Sequence, residues 1–152
     1  MMDYYKFFRN ESKDDLGRYF ARIQHMSKFE LEVNHTYIQR AFPLQEVSVH
    51  DRRAKAITDE EIEAIKKDRI AMGNIIFMVS VMEDFFGLPY TGKKPRFFKK
   101  GNHNYLRVTR ILKFLKMMDM TEEYERFKSE IRTLCDSFPE EVTKENLLHW
   151  EI

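Results

Sequence analysis

Cysteine is almost missing from this chain: Cys135 is the only one in 152 residues. A single thiol excludes an intramolecular disulfide framework and a multi-cysteine zinc site, so a reducing interior, the cytoplasm, is the expected setting. Glycine and proline are scarce, with five and four, and no repeat or low-complexity tract is present. That composition favours closely connected elements over domains on linkers. Long apolar runs are absent as well. The longest, Ile75 to Met82 (IIFMVSVM), is far short of the roughly 18 to 20 residues needed to span a bilayer. Met1 to Arg9 (MMDYYKFFR) has no sustained apolar stretch ahead of a small-residue cleavage site, so it is expected to remain in the mature protein.

What the chain has is helical periodicity. Its length fits one domain, 1–152, in which roughly 70% of the unfolded surface is buried on folding. Leu16, Tyr19, Phe20 and Ile23 fall on one face of a first helix running from Asp14 or Asp15 to about Met26. A shorter helix is expected around Phe29 and Leu31, and Asn34 caps the turn after it; Pro43 closes that segment, as two short helices or one kinked one. The clearest helix start follows, with Thr58 as N-cap, Glu61 as its capping-box partner and Ile57 with Ile62 as a hydrophobic staple. From Ile70 to Phe86 the chain is apolar on nearly every side until Gly87, which predicts a central, buried helix. A strand competes over Ile75 to Met82, but the flanks keep the helical pattern and no second strong strand exists to pair with it. Further helices are expected from Asn104 to Met118 and from Thr121, where Tyr124, Phe127, Ile131, Leu134 and Phe138 form a stripe. A last turn or two runs from Thr143 to Trp150, with Leu147 and Leu148 closing one end and Trp150 packing. The fold class is all-α, a compact single-domain helical bundle around a central apolar helix.

Acid is missing locally. Between Tyr90 and Met117 there are nine Lys and Arg and no Asp or Glu: Lys93, Lys94, Arg96, Lys99, Lys100, Arg107, Arg110, Lys113 and Lys116. Such a block attracts phosphate or carboxylate partners, and Phe97, Phe98 and Tyr105 offer aromatics for stacking. The plainer reading is a solvated face that balances the acidic segment after it. No recognised nucleic-acid motif is visible, so nucleic acid is the second choice of partner.

On a wheel at about 100° per residue the cations of the 104–118 helix separate. Val108, Ile111, Phe114, Leu115 and Met118 make the apolar arc, and Lys113 and Lys116 lie on the far side with Thr109. Arg107 falls inside the arc beside Ile111, Asn104 is one turn earlier, and His103 and Arg110 lie on the arc's edge. A guanidinium cannot shed its proton, so an inward Arg107 requires a carboxylate, several carbonyls or an anionic ligand. Asp84 or Glu83, near the end of the central helix where the macrodipole disfavours negative charge, is the expected ion-pair partner. The alternative is a pocket in which Arg107, Arg110 and His103 receive a carboxylate or phosphate. The same wheel over the earlier segment groups Ile38, Ala41 and Phe42, with His35 near their edge and Arg40 opposite, facing water.

The two segments match each other: Asn34 to Leu44 (NHTYIQRAFPL) and Asn102 to Lys116 (NHNYLRVTRILKFLK) both open on Asn-His and run into an aromatic, apolar helical pattern. With Tyr5 to Glu11 (YKFFRNE) ahead of them, they resemble the conserved region of the opioid growth factor receptor family. The residues that carry the resemblance are Asn34, His35, Tyr37, Ile38, Gln39, Phe42 and Pro43, then Asn104, Leu106, Arg107, Thr109, Arg110, Ile111 and Leu112. Ile23 and Arg40 stand where family members tend to carry aromatics. The resemblance implies an all-helical domain, brings no catalytic residues, and has named members described as binding a short opioid peptide without spanning a membrane.

No Gly-rich phosphate loop, Gly-x-Ser-x-Gly elbow or His pair at metal-binding spacing occurs among His25, His35, His50, His103 and His149. No catalytic residue, metal site or cofactor is therefore assigned, and Cys135 reads as a small buried apolar residue. The reading is a non-enzymatic binding module for a short peptide, a protein or a small anionic ligand. Asn34, His35, Tyr37, Gln39, His103, Asn104, Arg107 and Arg110 are its candidate ligand-binding residues. A nucleic-acid-associated protein using the basic 93–116 segment and an enzyme with a His/Arg pocket are the alternatives. The oligomeric state is not legible in the sequence.

Overall fold

The computed structural model describes residues 2–152, and every regular element among them is helical. The contact pattern divides them into a first compact unit ending at Val81 and a second, Met82–Ile152.

The first unit opens on a helix that the sequence reading missed, α1 (Tyr4–Phe8). Asp3 caps it by accepting from the Lys6 amide, and Tyr4, Phe7 and Phe8 are fully buried. Five residues are too few to hold a helix in water. The missing stability comes from α5 (Asp59–Lys66), against which α1 packs. The capping box of Thr58 and Glu61 is present as expected, and Ile57 and Ile62 of the staple are both buried. Glu61 does more than cap: its carboxylate also accepts from the Tyr4 amide at 2.8 Å and pairs with Lys55 at 3.2 Å.

The first amphipathic stretch is shorter than its periodicity suggested. α2 spans Phe20–Gln24, because Gly17 takes a left-handed conformation (φ 82°) that the Asp14 carboxylate fixes by accepting from the amides of Leu16 and Arg18. Leu16 and Tyr19, expected on the buried face, are therefore exposed. α3 (Lys28–Val33) starts on a capping box of Ser27 and Glu30; it buries Leu31 and leaves Phe29 outside, at 74% exposure. α4 (Ile38–Ala41) is a single turn.

The apolar run forms α6 (Arg69–Phe85), separated from α5 because Asp68 caps the new helix through the Ala71 amide. Ala71, Ile75, Met78, Val79 and Met82 are buried, but Ile70, Ile76 and Phe77 are exposed at 54%, 43% and 46%. The expectation of a helix buried all round is corrected by that second face. Hydropathy alone does not separate a helix covered on every side from one that keeps an apolar flank in water. Gly87 ends the segment with φ 71°, as its position predicted.

In the second unit α7 (Asn104–Met117) packs against α8 (Thr121–Ser137) and α9 (Lys144–Trp150), with a 3-10 turn at Pro139–Glu141 between the last two. Val108, Ile111, Phe114 and Leu115 of α7 face Tyr124, Phe127, Ile131 and Leu134 of α8 in burial. Trp150 is buried and its Nε1 donates to the Thr109 hydroxyl at 2.9 Å, so Thr109 does not share the solvent face of Lys113. Leu148, expected to close the bundle, is 77% exposed.

Candidate functional site

The two Asn-His segments belong to different units, the first to the first unit and the second to the second. In the first segment Asn34 spends its Oδ1 on the Thr36 amide and hydroxyl, both at 2.9 Å, and so caps the turn as anticipated. His35 is exposed, Tyr37 is fully buried and Gln39 is 5% exposed.

Arg40 overturns its assignment. It faces no water at all: its exposure is 0%. Nε and Nη2 straddle the Asp15 carboxylate at 2.6 and 2.8 Å, while Nη1 donates to Asp51 and to the Thr36 carbonyl, both at 2.8 Å. Desolvation pulls the guanidinium pKa down, but the hydrogen bonds to Asp15 and Asp51 outweigh it and leave it raised. Arg40 holds Asp15 below the usual carboxylate range, and it does the same for Asp51 against that residue's burial, with Arg53 helping. A wheel drawn from one short segment sees only its own helix. The partners that draw Arg40 inward come from 25 residues before it and 11 after. The signal available in the sequence was the two aspartates flanking the motif, which periodicity does not pair.

The second segment is better foretold. Arg107 is 4% exposed and Asn104 is buried, as the arc required. The Arg107 guanidinium lies 6.0 Å from the Phe85 ring centroid. Of the two acids expected opposite it, Glu83 is gripped by a residue the sequence reading did not name, Arg126, whose Nε and Nη2 donate at 3.1 and 2.9 Å. His103 is exposed at the start of α7, Arg110 is half-buried, and Asn102 rather than His103 supplies the local turn by accepting from the Asn104 amide at 2.8 Å.

The proposed stacking platform does not exist. Phe97, Phe98 and Tyr105 are 7%, 0% and 5% exposed and form an aromatic cluster in which Phe97 also meets Phe86 at 4.7 Å. Tyr105 donates its hydroxyl to the Glu141 carbonyl at 2.8 Å, and burial, followed by the Glu141 charge, raises its pKa. The Glu141 carboxylate in turn clasps the basic loop. It accepts from Lys94 and from the Lys100 amide, which hold it below the usual range. The loop is therefore pinned from below by aromatics and Glu141, and its remaining cations point outward. Lys93, Arg96, Lys100 and Lys113 are exposed, and none of their side chains enters an ion pair among the described residues. Leu106, 57% exposed, lies on the same α7 face as His103, Arg110 and Lys113, at three- and four-residue spacings.

Among the described residues no helix is long and apolar enough to cross a membrane, and no group of three His, Cys, Asp or Glu side chains is placed to hold a metal ion. No solved structure matches the chain. The opioid growth factor receptor conserved-region model matches residues 2–149. Opioid growth factor receptor-like protein 1 of Mus musculus is 39% identical over 112 residues, covering 66% of this chain and 23% of that protein. Its Xenopus tropicalis counterpart is 40% identical over 65% of this chain and 21% of its own length. The opioid growth factor receptor of Mus musculus is 36% identical over 56% of this chain and 15% of its own. The match thus spans about a quarter or less of each relative. With a family model covering nearly every residue described above, this chain belongs to the opioid growth factor receptor conserved-region family.

Proposed function

We propose that the chain is a non-enzymatic binding module that takes an acidic peptide segment on the outer face of α7 and the adjoining 93–100 loop, in a reducing compartment such as the cytoplasm. One observation carries this reading: a segment without Asp or Glu in which Lys93, Arg96, Lys100 and Lys113 are exposed and outside internal ion pairs, with the exposed Leu106 on the Lys113 face of α7. Charge supplies attraction and steering, and an exposed Leu supplies the apolar anchor that a purely electrostatic surface lacks. Arg107 and Asn104, inside the fold, set the face rather than touch the ligand, and Asp84 is the carboxylate assigned to Arg107. The relatives named as receptors of a growth factor fit a peptide partner. Nucleic acid ranks second because Phe97, Phe98 and Tyr105 are buried where bases would stack.

The test is fluorescence anisotropy with a labelled peptide of alternating Glu and Leu, the same peptide with Gln for Glu, and a single-stranded oligonucleotide of equal length. The reading expects the Glu peptide to bind best. Lys93→Glu with Lys113→Glu should weaken it at least tenfold, and Leu106→Ser should weaken it at unchanged salt dependence. Equal binding of the Gln peptide, or tighter binding of the oligonucleotide, would overturn it.

A further inference from the structure

Away from the basic face, the end of α6 meets α8 through charged groups that the binding reading leaves unused. Arg126 of α8 places two donors on Glu83, whose side chain is 11% exposed. Glu130 stands one helical turn beyond Arg126, on the same face of α8. Its Oε1 is buried and accepts no hydrogen bond among the described residues. Arg126 is committed to Glu83 through both Nε and Nη2. Two carboxylates therefore crowd one guanidinium, and one of them has an oxygen sealed from water without a donor. An ionised carboxylate in that position loses hydration and gains nothing in return. A protonated one becomes a donor, and the ionised Glu83 beside it is an acceptor.

We infer that Glu83 and Glu130 hold one proton between them at neutral pH, forming a clasp between the end of α6 and α8 that slackens as the solution turns alkaline. In the closed state Glu130 carries the proton and donates it to Glu83, which stays ionised and keeps both hydrogen bonds from Arg126. Burial, then the hydrogen bond with Glu83 and its charge, push the Glu130 carboxyl up to about 8 against the pull of Arg126. Burial would raise Glu83 as well, but Arg126 and then Glu130 hold it below the usual range. The charged groups acting on Glu130 are Glu83 from α6 and Arg126 from α8, with Glu123 of α8 acting on Arg126; among the described residues no charged group of α7 or of the Pro139–Glu141 turn, which also pack on α8, acts on it.

The sign follows from proton counting. Below the ordinary Glu value both folded and unfolded chains are protonated at this position and it contributes nothing. Between that value and about 8 the unfolded chain has lost a proton that the folded chain keeps, so stability falls as pH rises. Above about 8 the fall is complete, with two charges facing one guanidinium. Each pH unit of effective shift is tenfold in the unfolding constant.

Carboxyl carbon NMR of the whole chain, labelled at Glu, tests the proton directly, and urea unfolding from pH 5 to 9 tests its consequence. The expected results are a Glu130 titration midpoint above 6.5 and an unfolding constant that grows at least tenfold between pH 6 and 9. Glu130→Gln keeps a donor for Glu83 without the charge, and should cut that growth below threefold. Glu83→Gln should return the Glu130 midpoint to below 6, since it then faces Arg126 alone. A Glu130 midpoint below 5.5 in the unmodified chain, or equal pH dependence in Glu130→Gln, would overturn the inference.

Discussion

Replacing Arg40 separates two descriptions of the first motif by a large margin. An arginine in water contributes within about 0.5 kcal/mol, as most surface side chains do. The observed Arg40 has 0% exposure and donates four hydrogen bonds, three of them to carboxylates. Truncating it to Ala leaves Asp51, whose side chain is 5% exposed, with Arg53 as its remaining cation, and strips both oxygens of Asp15. Removing one member of a buried pair costs about 3–5 kcal/mol, and the 30% exposure of Asp15 lets water offset part of it, so about 3 kcal/mol is expected. That is a large share of the ~5–15 kcal/mol that holds an ordinary domain. Arg40→Lys keeps the charge but loses the fork that straddles Asp15, and should recover only part of the loss. Both aspartates are held below the usual range, so their contribution is complete above about pH 4 and is lost as pH falls through their folded values. Urea unfolding at pH 7 and pH 3 reads both effects. An Arg40→Ala cost under 0.5 kcal/mol at pH 7, or one unchanged at pH 3, would refute the buried network.

Three further outcomes are open to measurement. Gly73 lies inside α6 and a Cβ there meets nothing within 4 Å, so Gly73→Ala should stabilise the chain by about 0.5–1 kcal/mol in the same unfolding assay. Thr109→Val removes the acceptor of Trp150 and should cost about 1–2 kcal/mol, with a shift in the emission of the only tryptophan. Cys135 is 6% exposed and burial, followed by the Asp136 charge, pushes its thiol up to about 11, so disulfide reagents at pH 8 should modify it only at the rate of unfolding.

The sequence was most readable where a local rule decides the structure. Thr58 with Glu61, Asn34 at its turn and Gly87 at the end of α6 are each settled by groups within a few residues, and all three hold. Arg107 was placed correctly because fourteen residues of α7 give the wheel enough turns to define an inside. Arg40 was misplaced because α4 has four residues and its orientation is set by Asp15 and Asp51 instead. The basic loop was legible as charge but not as shape. Its aromatics turn inward because Phe86, Tyr105 and Phe138 are there to receive them, and no pattern within 93–100 records that. α1 was legible in retrospect: Asp3 followed by aromatics at 4, 7 and 8 is a cap with one buried face.

Glu61 joins α1 to α5 through a carboxylate that also starts α5, and this reverses the order in which the chain is made and the order in which it can settle. Residues 3–8 leave the ribosome well before α5, and the group that fixes the Tyr4 amide is synthesised 57 residues later. Until then Phe7 and Phe8 have only Phe20 of α2 to meet, and the nascent segment carries aromatic surface of the kind that chaperones screen. Every copy of the protein passes through that interval before α1 can close on α5.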